Sequence, residues 1–587
     1  MITAVQIERT YTKDEIIEMY LNSIHFGHGT FGVQIAAKRF FKKDAVDLNL
    51  DECALLIGVL PRPATYSPIN NPEIALRRRN VVLKLMLDQK FILESQYTEA
   101  RAMPLDVTPN RDDIGKAPYF TEYVRRLLEI EDEELGLDIY RDGLTIYTTI
   151  DSRLQNIAEE SVMSVIEDNQ NKLNSRLFND REEFEELAYL GIYPEDSVKI
   201  MMKGEKTLYK DLRDKLLVQT AFVAIDPKTG HIKAMIGGRP DYHDQYNRAT
   251  QAKRQPGSAF KPIVYLAALD EGYSPSTLIL DAPYVVDQGP GLPKWKPSNY
   301  TDEFYGLTTM RTGIEKSRNL MTVRLANRIG MDNILNMASK FNINEGFDDK
   351  LSMSLGSGVI TLRDLTNAYA IIANGGKKIE SKFITSIYNR NGNKIRDTSL
   401  KKCNECIVDS ISSKIKIPNL YEEENLVVDP RLAYQITSMM EGVIQRGTAK
   451  RLKDLDVPIA GKTGTTNQNK DAWFIGYTPD LVIGVYVGYD KPKSLGYKQT
   501  GSSVAVPIFK NFAKKIKINK NKKPFRIPSG ISFVRIDPSN GMISNDEGSI
   551  SEPFVLGSEP YSGNVNIIDG LENFNNNSIS GTGGLLE

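Results

Sequence analysis

The sequence predicts a multidomain chain in which a mainly α unit precedes an α+β domain, an antiparallel sheet with helices packed against it. Three observations carry this expectation. First, 587 residues correspond to roughly three or four structural units at about 150 residues each. Second, residues 221–225 and 232–236 are short apolar runs separated by Asp226-Pro-Lys-Thr-Gly230, the pattern of a β-hairpin. Third, residues 457–461, 472–477 and 481–489 read as strands joined by short turns, with mainly helical segments between them and the first hairpin. The order strands, helices, strands is that of an α+β domain.

Composition narrows the function classes. Hydrophobic residues make up 41% and charged residues 25%, close to the soluble globular average, which excludes wholesale disorder and a multi-span membrane protein. Lys plus Arg total 74 against 75 Asp plus Glu, so the chain has no global basic footprint for nucleic acid. Three cysteines and four histidines are too few for a multi-zinc or disulfide scaffold, and neither a metal nor a cofactor is expected. No run of eighteen apolar residues and no signal-peptide pattern occurs. A helical pattern already under way at Met1, without a capping residue, gives the expectation that the chain starts partway through a longer one.

The elements follow in order. Residues 12–41 read as helices around a glycine turn with Gly27, Gly29 and Gly32, and residues 51–59 as an apolar helix on which Cys53 is expected to be a packed core residue. A proline-dense loop from Leu60 leads to a helix carrying Arg77, Arg78 and Arg79, read as a solvated face. Residues 144–150 alternate like a strand and a helix follows from Asp151. Residues 167–214, dense in charge, look like a helical insertion. The expected boundaries are 1–115, 116–219, 220–515 and a C-terminal extension at 516–587 with a disordered Asn- and Gly-rich tail.

Ser-x-x-Lys occurs at Ser258, Ser399 and Ser413, and Lys-Thr-Gly at Lys228 and Lys462. Context separates them. Ser258 follows Gln255-Pro-Gly257 and opens an apolar helical segment, so Ser258 and Lys261, at i and i+3, share a face and the amine can reach the hydroxyl. A lysine accepts that proton only when neutral, which burial or a second cation such as Lys462 would bring about. Ser399 and Ser413 lie among hydrated lysines and read as chance matches. Lys228 belongs to the hairpin turn. Lys462-Thr463-Gly464-Thr465 instead continues a strand, with Gly464 clearing room for another backbone, which suits an edge strand gripping an extended peptide. Ser317-Arg-Asn319 lies between these elements, whereas Ser562-Gly-Asn564 falls in the tail.

Arg254-Gln-Pro-Gly-Ser-Ala-Phe-Lys-Pro262, Ser317-Arg-Asn319 and Gly461-Lys-Thr-Gly-Thr-Thr466 with Asp471-Ala-Trp-Phe-Ile-Gly-Tyr477 resemble the transpeptidase domain of the class A penicillin-binding proteins. Residues 13–22, Gly32 with Ala36-Ala37, and Leu60-Pro-Arg-Pro63 resemble the C-terminal part of that family's peptidoglycan glycosyltransferase domain. The resemblance implies a β-lactamase-like α+β transpeptidase after a lysozyme-like, partial glycosyltransferase domain, whose catalytic glutamates and membrane helix it places before Met1. It implies that Ser258 is the acylated nucleophile, Lys261 its base, Ser317 and Asn319 the proton relay and substrate-orienting pair, and Lys462 the charge that sets the local potential. Thr463, Gly464 and Thr465 would hold the substrate, a D-Ala-D-Ala stem peptide or a β-lactam. Expected partners are peptidoglycan and other cell-wall proteins, at the outer face of the cytoplasmic membrane, with no nucleic acid.

Two rivals differ in chemistry. A serine β-lactamase needs a water-activating base, yet no Glu-x-x-Leu-Asn element lies between Asn319 and Lys462, and Asp332-Asn-Ile-Leu-Asn336 is only a near miss. A non-catalytic envelope scaffold would not need Ser258, Lys261, Ser317 and Lys462 together. Cys403-Asn-Glu-Cys406 lacks a second ligand pair and reads as a local disulfide or free thiols. His25 and His28 are expected to pack or cap the glycine turn, and Trp473 to be core.

Overall fold

A computed structural model describes residues 2–27, 30–105, 107, 115–135, 138–139, 142–179, 195–203, 215–241, 246–287, 291, 293–397, 425–560, 566–568 and 579–581. Cys403, Cys406, Ser399, Ser413, Ser562 and His28 lie outside the described residues. The chain forms two compact units, Met1–Thr121 with Arg125–Gly143, and Glu122–Val124 with Leu144–Glu587. No helix among the described residues is long and apolar enough to cross a membrane.

The first unit is helical. Its α1 (Lys13–Ser23) starts at a capping box in which the Thr12 hydroxyl and Glu15 satisfy each other's orphan amides. The helices α2 (Val33–Phe41), α3 (Leu50–Val59) and α4 (Pro72–Asp88) follow. Phe26, Phe40, Leu55, Leu56 and Ala75 form the core. Two expectations are corrected here. Cys53 is exposed, because α3 turns Ala54, Leu55 and Leu56 inward instead. Arg79 is buried rather than solvated: its guanidinium donates to the carbonyls of Met103 (2.9 Å) and Arg101 (3.1 Å) and thereby ties α4 to the chain beyond it.

The second unit is built on a five-stranded antiparallel sheet. Its strands β1 (Gln219–Ile225) and β2 (Ile232–Ile236) form the hairpin at one side, and β4 (Ala460–Thr465), β5 (Asp471–Tyr477) and β6 (Val482–Gly488) form the meander, in the order β4-β5-β6-β1-β2. A short strand β3 (Leu278–Asp281) belongs to a separate small sheet. The helix α5 (Ser152–Asn179) and a late helix α11 (Val506–Lys515) bury Val162, Ile166, Phe509 and Phe512 against Phe222, Phe474 and Val485 of the sheet. The stretch expected to begin a charged insertion at residue 167 is therefore, up to Asn179, the second half of a core helix.

The opposite face, which carries Trp473, Ile475 and Tyr477, is covered by α9 (Leu362–Ala373) and α10 (Pro430–Gln445), with Tyr477 bonded to Thr437 at 2.9 Å. At the centre lies α6 (Lys261–Asp270), whose residues up to Leu269 are all buried. A helix apolar all round belongs in a core. Two further helices, α7 (Met310–Glu315) and α8 (Asn319–Ile329), flank the loop at Ser317.

Candidate active site

Ser258 does not sit in the first turn of an α-helix. It lies in a 3-10 turn, Gly257–Phe260, and α6 begins only at Lys261, with Pro262 tolerated in the first turn because its missing N–H would have no partner there. Close approach of this turn to β4 depends on absent side chains. A Cβ on Gly257 would lie 2.6 Å from the Thr465 carbonyl oxygen, and one on Gly464 would lie 2.3 Å from that of Pro256. Half-buried Ser258 thus stands beside the edge strand β4.

The third element is shaped by how α7 ends. Arg318 N–H donates to the Gly313 carbonyl, a six-to-one bond that closes the helix, and Ser317 takes the left-handed position (φ 59°) that glycine usually fills. For serine that conformation is strained by roughly 1–2 kcal/mol. It leaves Ser317 offering its hydroxyl to one lysine and its carbonyl to another. Lys462 Nζ donates to Ser317 Oγ at 2.8 Å, and Lys261 Nζ donates to the carbonyls of Ser317 (2.9 Å) and Arg318 (3.1 Å) and to Asn319 Oδ1 (2.8 Å).

The site is electrostatically tense. Both lysines are fully buried side chains. Burial, and then the neighbouring Lys462, holds the Lys261 amine well below its ordinary value, with Asp281 opposing, while burial alone brings Lys462 down to about 7. In the state seen here three acceptors surround Lys261 and the Ser258 hydroxyl is not among them. An amine so placed gives up a proton readily and, once neutral, has a lone pair free to turn toward Ser258.

The structure therefore brings Ser258, Lys261, Ser317, Asn319, Lys462, Thr463, Gly464 and Thr465 into one region, whereas Lys228 pairs with Asp480 in the exposed hairpin turn. Sequence reasoning missed three neighbours. Thr448 Oγ1 and Thr463 Oγ1 share a hydrogen bond of 2.7 Å, Ser502 Oγ donates to the Thr448 carbonyl at 2.8 Å, and Gly501 N–H donates to Thr465 Oγ1 at 3.0 Å. The one available signal was Arg446-Gly-Thr448 directly after a helix with a strong apolar face.

The family model "Penicillin binding protein transpeptidase domain" matches residues 220–514, and the model "Transglycosylase" matches residues 1–87. Penicillin-binding protein 1A of Rickettsia bellii is 35% identical, over 98% of this chain and 79% of the relative. The protein of the same name from Aquifex aeolicus is 33% identical over 95% and 79%. The crystal structure of penicillin-binding protein 1A from Haemophilus influenzae superposes with a TM-score of 0.68 at 27% identity, covering 94% of this chain and 92% of that one. The chain belongs to the class A penicillin-binding proteins, cell-envelope enzymes that join a transglycosylase domain to a D,D-transpeptidase domain.

Proposed function

We propose that Ser258 is the acyl-accepting nucleophile of a peptidoglycan D,D-transpeptidase, with the remaining residues in the roles that follow. Lys261, neutral in the reacting state, takes the Ser258 proton as Oγ attacks the carbonyl carbon of the penultimate D-Ala. Ser317, held by Lys462, passes a proton to the departing D-Ala amine as the C–N bond breaks. The ester left on Ser258 is then attacked by the amine of a second stem peptide, giving a crosslink, or by water, giving carboxypeptidation. Thr463 and Thr465, with Thr448 behind them, face the terminal carboxylate, and Gly464 lets the peptide backbone run along the edge of β4. The N–H groups of Ser258 and Thr465 stabilise the oxyanion, a contribution of about 3–4 kcal/mol for such a donor. A β-lactam enters as a mimic of the same substrate, and the enzyme works at the outer face of the cytoplasmic membrane.

The observation that carries this reading is the convergence of two buried lysines, Lys261 and Lys462, on the Ser317–Asn319 loop. Fluorescent penicillin followed by peptide mass spectrometry tests it. The adduct is expected on Ser258, Ser258→Ala is expected to take no label, and the label should persist for hours. An adduct on Ser399 or Ser413 overturns the assignment, and rapid loss of label points to a β-lactamase instead.

A further inference from the structure

Asn319 is held by a segment that no motif marks. Its backbone N–H donates to Asn299 Oδ1 at 2.9 Å, and Leu320 N–H donates to the same oxygen at 3.3 Å. The first turn of α8 is thus capped from a distant loop, its own N-cap residue Arg318 making no side-chain cap. Asn299 Nδ2 donates to Asp281 Oδ1 (2.7 Å) and to the Glu303 carbonyl (2.9 Å). Every hydrogen-bonding position of the Asn299 amide is filled. A flipped amide would face two N–H groups with its own N–H2 and a carboxylate with its oxygen, so only one orientation survives.

The next residue back completes the grip. Asn319 Nδ2 donates to the Ser298 carbonyl at 2.8 Å, which turns Asn319 Oδ1 toward Lys261 Nζ. Asn299 and Asp281 are 3% and 0% exposed, in a position where an amide with no partners would be costly. We infer that Asn299 is a positioning residue for the transfer reaction, anchored by Asp281, which fixes Asn319 and through it the Lys261 amine. This rests on Lys261 acting as the base. The groups that bear on the Lys261 amine are Lys462 from β4 and Asp281 from β3. Asp281 in turn faces Arg318 at the entrance to α8 and Arg324 within it.

Two variants test it in the full chain, with the second-order acylation of Ser258 by fluorescent penicillin split into encounter affinity and chemical rate. Asn299→Ala is expected to slow the chemical rate about 10²-fold, the scale of a 1 Å misplacement, with encounter affinity close to the parent's and a lowered thermal transition, because Asp281 and the Asn319 and Leu320 N–H groups lose a buried partner. Asp281→Asn keeps the shape but removes the carboxylate that favours protonated Lys261. The acidic limb of its pH–rate profile is therefore expected to move to lower pH. A chemical rate within twofold of the parent for Asn299→Ala overturns the inference. So does an unmoved limb for Asp281→Asn, which decides the matter alone where Asn299→Ala does not fold. A parent chain that takes no label overturns the acyl-serine reading itself.

Discussion

Lys462 shows what a buried base costs and why it is kept. Among the described residues its amine has two partners, Ser317 Oγ at 2.8 Å and the Thr463 carbonyl at 3.3 Å, and no carboxylate. Burial depresses it to about 7, against about 10.4 in an unfolded chain. Between those values the unfolded state binds more protons than the folded one, so stability rises with pH across that window, and the penalty is fully present below about 7. Lys261 is pushed the same way by burial and by Lys462. Replacing Lys462 with methionine fills the space without the charge. Lys462→Met is expected to raise the unfolding free energy measured in urea at pH 6 by on the order of a few kcal/mol, with the gain shrinking toward pH 10. The same variant is expected to lose acylation by at least 10²-fold. A gain that is equal at pH 6 and pH 10 sinks the electrostatic account.

At the level of elements, the site is assembled by pressing a 3-10 turn onto the edge strand β4, and the glycines set the spacing. Gly464→Ala would bring a Cβ to 2.3 Å from the Pro256 carbonyl oxygen and 3.0 Å from the Ala259 Cβ, contacts that neither backbone can relieve without separating. The expected result is about 1–3 kcal/mol of destabilisation and at least tenfold slower acylation. Lys228→Ala is the control. Its ion pair with Asp480 joins two half-exposed side chains and is worth under about 1 kcal/mol, so acylation by fluorescent penicillin should be unchanged. Parent-like acylation in Gly464→Ala would show that the close approach is not needed. The sheet and these two Lys-Thr-Gly elements were legible in the sequence because turn chemistry and strand runs are local: Asp226-Pro-Lys-Thr-Gly230 announces a hairpin wherever it occurs. Thr448, Asn299 and Gly501 were not, since nothing local says which distant loop folds over an edge strand or caps a foreign helix. Nor does spacing decide faces in a nearly all-apolar run. Cys53 was expected to be core on α3, yet Leu55 and Leu56 took the inner positions.

Across the second unit, the C-terminal stretch is bound into the catalytic body by charge. The strands β7 (Ile531–Ile536) and β8 (Ile550–Val555) form an antiparallel pair, and the Pro553 carbonyl of β8 accepts from Gln435 of α10 at 3.0 Å. Beside it, Glu552 and Arg311 make a bidentate pair with side chains 0% and 2% exposed, one arm being Nη2 to Oε1 at 2.5 Å. Arg311 also reaches Glu315 at 3.3 Å, and Glu315 is held on its other side by Arg446, the residue two before Thr448. Glu315 itself lies two residues before Ser317. A C-terminal hairpin far along the chain is therefore coupled, through Arg311 and Glu315, to the loop that carries the relay serine. Removing only the cation would strand Glu552 in the interior, where an uncompensated charge costs more than the intact pair contributes. Arg311→Met is expected to lower the stability of the second unit by about 3–5 kcal/mol in urea unfolding and to weaken acylation as Glu315 loses a partner. Arg311→Met with Glu552→Met removes both charges and is expected to recover most of the stability, while acylation stays weakened because the Glu315 contact is still missing. A single variant that costs under about 1 kcal/mol, or a double variant as unstable as the single one, would show that the buried charge is not what fastens the C-terminal hairpin to the site.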